Sequence, residues 1–546
     1  MKGFYSLIYL GCCTLLFNCS SEAPVEALFT EMDNARTGIT FVNELQYDKD
    51  FNVFNYRNFY NGGGVAVGDV NNDGYVDLYF TANQKSNRLY LNNGDWTFTD
   101  ITEKAGVGGS QSWSTGVAMA DVDGDGLLDI YVSNSGDIKG DSRANEFFVN
   151  NGDGTFREEA EGWGIADQGL STHGVFFDYD RDGDLDLYVL NNSYRAIGTF
   201  NLEKSTREIR DPEGGDKLYR NDGDRFTDVS EAAGILGSEI GFGLGTTVGD
   251  VNGDGWLDVY ISNDFFEKDY LYINQGDGTF KESLEEHMRH TSFASMGADM
   301  ADINNDAAVD VFVTDMLPQG VRRLNQTTTF ENWDVYQNKL AWGYYHQFNR
   351  NMLHLNTTAG DFIEIGQLSG VEATDWSWGA LLADLDNDGW RDIYISNGIA
   401  HDLTDQDYIN YISNEEVMRS IVTEDGVNYK ELIDLMPSKR IPNYAFKNVA
   451  EGYKFVDRAK EWGLSKPSHS NGSVYADIDN DGDLDLIVNN VNQPPFLWRN
   501  NAEIIHPENH SIQLDLRKKG GHTIGAKVYA YAQGSLYYAE HVPMKG

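Results

Sequence analysis

A nine-residue pattern, Asp-x-Asp/Asn-x-Asp-Gly-x-x-Asp, recurs seven times along this chain and constrains its fold more than any other feature. The copies begin at Asp69 (DVNNDGYVD), Asp121 (DVDGDGLLD), Asp178 (DYDRDGDLD), Asp250 (DVNGDGWLD), Asp302 (DINNDAAVD), Asp384 (DLDNDGWRD) and Asp477 (DIDNDGDLD). Their spacing of roughly 50 to 90 residues is that of an array, in which one supersecondary unit is copied along the chain. Only the fifth copy departs from the pattern, with Ala307 where the others carry glycine.

The chemistry of the pattern points to calcium. A hard cation takes six to eight oxygens at about 2.4 Å, from carboxylates, carbonyls and water. Acids at positions 1, 3 and 5 converge when the chain wraps round an ion, and glycine at position 6 permits the turn. Position 7 lends its carbonyl, and the acid at position 9 closes the loop. The expected ligands are Asp69, Asn71, Asp73, Tyr75 and Asp77 in the first loop, and Asp121, Asp123, Asp125, Leu127 and Asp129 in the second. The third offers Asp178, Asp180, Asp182, Asp184 and Asp186, and the fourth Asp250, Asn252, Asp254, Trp256 and Asp258. The fifth keeps Asp302, Asn304, Asp306 and Asp310. The sixth supplies Asp384, Asp386, Asp388, Trp390 and Asp392, and the seventh Asp477, Asp479, Asp481, Asp483 and Asp485. Up to seven Ca2+ ions are expected, with the fifth site weakest or empty.

An EF-hand opens in the same way but needs glutamate at position 12 and flanking helices. Here position 12 is Phe80, Val132, Val189, Ile261, Val313, Ile395 and Val488, all apolar. The runs leaving the loops, such as Asp77-Leu-Tyr-Phe and Asp129-Ile-Tyr-Val, read as strands. A second signature follows, for example Leu271-Tyr-Ile-Asn-Gln-Gly-Asp-Gly-Thr-Phe280, a strand, a turn and a strand. Each unit therefore predicts four antiparallel strands, and seven units an all-β, seven-bladed propeller. The last unit stops at Leu497-Trp-Arg-Asn500 without an outer strand. Residues 28–33 echo the missing strand and are expected to complete it, so that no sheet edge is left open.

These residues resemble FG-GAP (VCBS) repeats, the calcium-loop blades of integrin α heads. The chain as a whole is similar to the bacterial branch of the ASPIC/UnbV, cartilage acidic protein-like family. That resemblance implies a small β domain after the propeller, starting near Ser511-Ile-Gln-Leu-Asp-Leu516 and Gly521-His-Thr-Ile-Gly-Ala-Lys-Val528. The expected organisation is a leader at 1–19, a tether at 20–27, the propeller at 28–505 and a truncated start of that domain at 506–546.

The leader reading rests on an apolar run from Phe4 to Phe17, too short to span a membrane. Leu15-Leu16-Phe17-Asn18-Cys19 looks like a lipoprotein box with Cys19 as the lipidated residue; an ordinary signal peptide is the alternative. An exported lipoprotein of the outer membrane or cell surface follows, or a secreted or periplasmic protein. Membrane contact is expected through the lipid only. All three cysteines fall within the first 19 residues, so the folded part has neither disulfide nor thiol nucleophile. Against 41 Lys and Arg stand 86 Asp and Glu, a net charge of -45, which excludes nucleic acid as a partner.

Three connections between the second and third strands are long, at 191–217, 314–352 and 396–444, and blade geometry puts all three on the face opposite the acid loops. Long loops in a compact array are usually functional. The middle insert carries Trp333, Tyr336, Trp342, Tyr344, Tyr345 and His346, candidates for contact with a glycan or an extracellular or outer-membrane protein, with packing of the insert as the alternative. A helix is predicted near Asp405–Ile421, and His401 beside Asp402 is a weak acid–base candidate. A non-catalytic binding or adhesion module is expected; the alternative is a lyase-like polysaccharide-degrading enzyme using the insert face.

Overall fold

Each unit makes strands that are apolar on both faces, so it can bury them only against neighbouring copies. In blade two, Asp129–Asn134 and Glu146–Asn150 are buried throughout, whereas the outer Phe156–Glu158 keeps only Phe156 inside. The computed structural model describes residues 27–542, apart from 112, 137–142, 194–203, 328–331, 359, 416, 418–420, 424–425, 519–521 and 533. The expected leader with Cys19, and all of the tether but its last residue, lie outside the described residues.

Seven four-stranded antiparallel sheets form, six of them built in the order of the sequence. Blade one runs Val65–Gly68, Asp77–Phe80, Arg88–Asn92 and Phe98–Asp100. Blade six, split by an insert, still pairs Ser377–Ala383, Asp392–Asn397, Tyr444–Asn448 and Phe455–Asp457. Blade seven is closed by the N-terminal strand: Phe29–Glu31 runs antiparallel to Phe496–Asn500, with Phe29 opposite Asn500 and Glu31 opposite Trp498. This is the seven-bladed propeller that the repeats predict.

The core lies between blades. Val175, Phe177 and Tyr188 of blade three meet Val248, Val259 and Tyr272 of blade four, and Phe80 and Tyr90 of blade one meet Ile487 and Leu497 of blade seven. Each such side chain contributes about 1.5–3 kcal/mol when fully buried. Inner strands of all seven blades line an axial channel of about 150 Å³. Glycines let them approach: a Cβ on Gly297 would lie 2.5 Å from the carbonyl oxygen of Trp378, and one on Gly472 2.8 Å from that of Gly63.

Residues 43–61 cap the channel at the insert face, a feature without a repeat signature. Tyr56, Phe59 and Tyr60 are buried against Trp113, Met296, Trp376 and Trp378. The Tyr56 hydroxyl reaches Ser135 Oγ at 3.0 Å, and the Leu45 N–H donates to Asn492 Oδ1 at 2.8 Å, tying the cap to blades two and seven.

Of the segment expected to begin a small β domain, the strands Lys527–Ala532 and Ser535–Glu540 form a hairpin across the acid-loop face. Lys527 pairs with Asp250, and Arg391 Nη2 donates to the Tyr538 carbonyl at 2.7 Å. The helical stretch predicted near Asp405–Ile421 is interrupted: Gln406–Ile412 forms one helix, and beyond Ser413 and Asn414 the described residues Glu415, Val417 and Ile421 are helical again. Asp405 caps the start of Gln406–Ile412, and Ser413 Oγ folds back onto the Ile409 carbonyl at 2.7 Å where that helix ends.

Candidate metal loops and the insert face

The seven loops share one hydrogen-bond framework. The position-1 aspartate accepts the position-6 N–H on Oδ2, as in Gly74 to Asp69 at 2.7 Å and Gly389 to Asp384 at 2.8 Å. The position-7 N–H donates to the position-5 carboxylate, as in Tyr75 to Asp73 at 2.9 Å and Trp256 to Asp254 at 2.8 Å. The position-9 carboxylate is clamped by two N–H donors; for Asp77 these are Val70 at 3.0 Å and Asn92 at 2.8 Å. Position 2, buried in every loop from Val70 to Ile478, anchors the turn in the core.

The second donor in that clamp belongs to an asparagine that ends the third strand of every blade. Its side chain crosses to the preceding blade: Asn274 Nδ2 donates to the Tyr179 carbonyl at 2.8 Å, and Asn356 to that of Val251 at 2.7 Å. Asn92 closes the circle on Ile478 at 2.8 Å. Each acid loop is thus held by its own blade and bonded to the next. In the sequence these asparagines merge with the turn that follows them, and their recurrence at Asn92, Asn150, Asn221, Asn274, Asn356, Asn448 and Asn500 is the signal that sets them apart.

Carboxylate oxygens converge within 4.8 Å of one another in Asp121, Asp123 and Asp125; in Asp178, Asp180 and Asp186; in Asp384, Asp386 and Asp392; and in Asp477, Asp479 and Asp485. Loops one, four and five place an amide at position 3, and there Asn71, Asn252 and Asn304 each bond the position-5 carboxylate at 2.9–3.0 Å. Oδ1 of Asp121, Asp178, Asp250, Asp386 and Asp479 is buried with no hydrogen-bond partner among the described residues. Such oxygens are costly unless a cation or water meets them. Burial pushes the carboxyls of Asp77 and Asp129 up to about 7 and that of Asp186 to about 9. An all-oxygen set with orphaned inward lone pairs fits a hard divalent cation. Positions 1, 3, 5 and 9 would hold it, with the position-7 carbonyl.

At position 7, where the expected ligand is the backbone carbonyl, two loops carry a further carboxylate in the side chain. Asp184 is exposed, and the carboxyl of Asp483 is buried beside Glu503, whose N–H approaches it at 3.3 Å. The fifth loop keeps its shape: Ala307 takes a left-handed φ of 67° and its N–H reaches Asp302 Oδ2 at 2.8 Å. Position 4 is left-handed as well, even at Arg181 with φ 61°, whose guanidinium lies 4.3 Å over the Trp256 ring.

Basic side chains balance the acid-rich loops. Lys447 lies on Asp386 and, at 2.8 Å, on Asp388; Arg499 Nε lies 3.1 Å from Asp479. Both occupy the residue just before the framework asparagine. In blades one, four and five, where position 3 is an amide, that residue is Leu91, Ile273 and Leu355. Of the four loops with a carboxylate at position 3, the third, sixth and seventh have a basic residue there, Arg220, Lys447 and Arg499, whereas the second has Val149.

On the opposite face the three inserts leave equivalent connections, and those of blades five and six touch where Arg323 meets Asp402. The aromatic candidates divide. Trp333 is 69% exposed on the helix Trp333–Ala341, and its ring lies 5.6 Å from that of Tyr336. Tyr336 hydroxyl and His346 Nδ1 are 2.6 Å apart, and the half-buried Tyr345 donates to the Met288 carbonyl at 2.7 Å. Tyr344 is buried, and the N–H of the half-buried Trp342 closes the helix C-terminus on Asn338 at 2.9 Å. Most of the set therefore packs the insert. His401 lies against the rings of Tyr47 and Tyr60 while Asp402 faces Arg323, so the two do not form an acid–base pair.

The FG-GAP-like repeat profile matches residues 69–132, 135–189, 209–261 and 250–313, spanning acid loops and strands of the first five blades. The chain carries FG-GAP-like repeats. Over 212 residues it is 30% identical to cartilage acidic protein 1 of Xenopus tropicalis, covering 38% of this chain and 29% of that protein. The human protein is 28% identical over 239 residues, covering 43% and 33% respectively. The matches thus span about a third of these relatives' length. Among solved structures, an Agrocybe aegerita lectin that recognises non-reducing terminal N-acetylglucosamine aligns with TM-score 0.38 and 14% identity over 72% of this chain and 79% of its own. A rhamnogalacturonan lyase of Bacillus licheniformis aligns with TM-score 0.38 and 12% identity over 81% and 72%, and the Vibrio cholerae biofilm matrix protein Bap1 with 0.37 and 11% over 86% and 92%. These three bear on no ligand.

Proposed function

We propose that this protein is an exported, calcium-stabilised binding module that presents its insert face to a glycan or an extracellular protein. One observation carries the reading: the long inserts all leave blades on the face opposite the acid loops, which supports assigning metal to one face and recognition to the other. The rigid sheets position the inserts, and cations in the loops offset the repulsion among clustered carboxylates. Attachment through a lipid at Cys19 is part of the same proposal.

Site-directed masking tests it. In a variant with Cys12, Cys13 and Cys19 changed to serine, a single cysteine at Trp333 or at Asp153 places a bulky maleimide on the insert face or the loop face. The calcium-loaded proteins are then compared on glycan and protein arrays. Masking at Trp333 should abolish capture and masking at Asp153 should spare it; the reverse result would reject the assignment.

A further inference from the structure

A cavity of about 860 Å³ opens where the inserts of blades five and six meet, a volume suited to a small-molecule-sized ligand. Its walls include the helices Val321–Thr327 and Gln406–Ile412. Arg323 fixes the floor, with Nε 3.0 Å from Asp375 Oδ2 and Nη1 2.5 Å from Asp402 Oδ2. Asp402 is held by the Thr404 N–H at 2.8 Å and hydroxyl at 2.7 Å, and its own N–H donates to the Pro437 carbonyl at 2.8 Å. Asp375 adopts a left-handed φ of 63° and accepts the Trp376 N–H at 2.9 Å. Polar groups locked in this way are preorganised for a ligand.

Two further features give the cavity a ligand chemistry. Trp376 is 8% exposed, and its indole N–H has no partner among the described residues, a buried donor that awaits an acceptor. At the mouth, Tyr411 is 51% exposed and Leu435 43% exposed, so an aromatic and an aliphatic surface face incoming ligand. Arg322, Arg323 and Lys439 stand against Asp375, Asp402, Asp405 and Asp407, a near balance in a chain of net charge -45.

We propose that this cavity binds a neutral pyranose ring of a glycan. The proposal rests on the reading of the insert face as the recognition surface. A pyranose has an apolar C–H face that stacks on an aromatic ring, and hydroxyls that donate and accept at once. Here Tyr411 supplies the platform, Asp402 and Asp407 the acceptors, and the Trp376 N–H and Arg322 the donors. Acidic glycans meet the charge of the whole chain. The single balanced cavity lacks the row of pockets or open strand edge that an extended peptide uses.

The calcium-loaded full chain is titrated with neutral oligosaccharides, with uronate oligosaccharides and with a peptide library. Tyr411→Ala, at a half-exposed position, and Trp376→Phe, which keeps an aromatic ring in place, are compared with Tyr453→Ala, at an exposed position in the turn between the two outer strands of blade six. Tyr411→Ala should weaken neutral-glycan binding about tenfold. Trp376→Phe should weaken it several-fold, Tyr453→Ala should leave it unchanged, and all three should melt with the parent. Neutral-glycan binding that survives both cavity variants, yet is blocked by a label at position 333, would overturn this cavity and leave the insert-face reading standing. Capture of uronates or peptides only would overturn the ligand class alone, and capture blocked only from the loop face would overturn both.

Discussion

Replacing Asn274 by leucine removes one link of the inter-blade ring while keeping the number and branching of the side chain's heavy atoms. Asn274 is buried, donates to the carbonyls of Tyr179 at 2.8 Å and Leu257 at 3.3 Å, and accepts the Gly276 N–H at 2.9 Å. The Tyr179 carbonyl belongs to the acid loop of blade three, so its loss of a partner falls between blades. A buried backbone group left unpaired costs about 1–3 kcal/mol, and a formed bond is worth about 1 kcal/mol net. Leu257 already holds a long bond and Gly276 sits in a turn that water reaches, so the sum is about 2–4 kcal/mol, dominated by Tyr179. Urea unfolding in excess calcium, followed by tryptophan fluorescence, measures it as a lower midpoint at unchanged slope. The comparison variant is Asp277→Ala, which removes bonds to Thr279 in the same turn without touching another blade. Equal midpoints for the two variants, or a loss below about 0.5 kcal/mol for Asn274→Leu, would refute the ring as a stabilising element.

Chelation should lower the melting temperature, because a ligand bound only by the folded state stabilises it by mass action. In EDTA the melting temperature should then rise as pH falls from 9 to 5. Asp77, Asp129 and Asp186 are raised to about 7, 7 and 9, above their unfolded values near 4, so folding gains stability on protonation and loses it as pH climbs through the raised values. A calcium-free melting temperature that falls toward pH 5 would contradict this. Lys447→Met removes the ammonium from Asp386 and Asp388 and should enlarge the calcium-induced rise in melting temperature; an unchanged rise would show that Lys447 does not compensate the sixth loop. Ala307→Gly should stabilise the calcium-loaded protein by up to about 1 kcal/mol, since the left-handed φ of 67° is open to glycine without strain, and a loss in the same urea assay would count against that strain.

Blade number, strand order and closure were legible in the sequence because they rest on local signals: loop acids at fixed spacing, apolar runs after them, and a turn signature between the outer strands. The convergence of loop carboxylates was legible for the same reason. What escaped was set by contacts between distant segments. The cap at 43–61 is defined by residues of several blades and has no periodicity of its own. Lys447 and Arg499 read as ordinary strand residues until strand pairing lays them over the acid loop that leads into the neighbouring strand. In the middle insert, composition marked an aromatic cluster, but exposure divides it: the helix turns Trp333 outward while the chain after it buries Tyr344. The cavity lined by Tyr411 and Trp376 draws on two inserts and an inner strand, so no single stretch announced it.

The closing strand has a consequence for the order in which the molecule is made. Phe29–Glu31 is synthesised before any blade, yet its partner Phe496–Asn500 is the last of the blade strands to emerge; Asn501, just beyond that strand, bonds Ala27 across 474 residues of chain. Throughout synthesis the first strand is a loose end and, once blade seven appears, its edge stands bare. Pairing over so long a loop is entropically slow, so this circle shuts from its two ends at the last moment. A nascent chain meeting another at that stage could exchange these strands and join two propellers, whereas a circular permutant carrying residues 27–40 after residue 505 would close its ring locally.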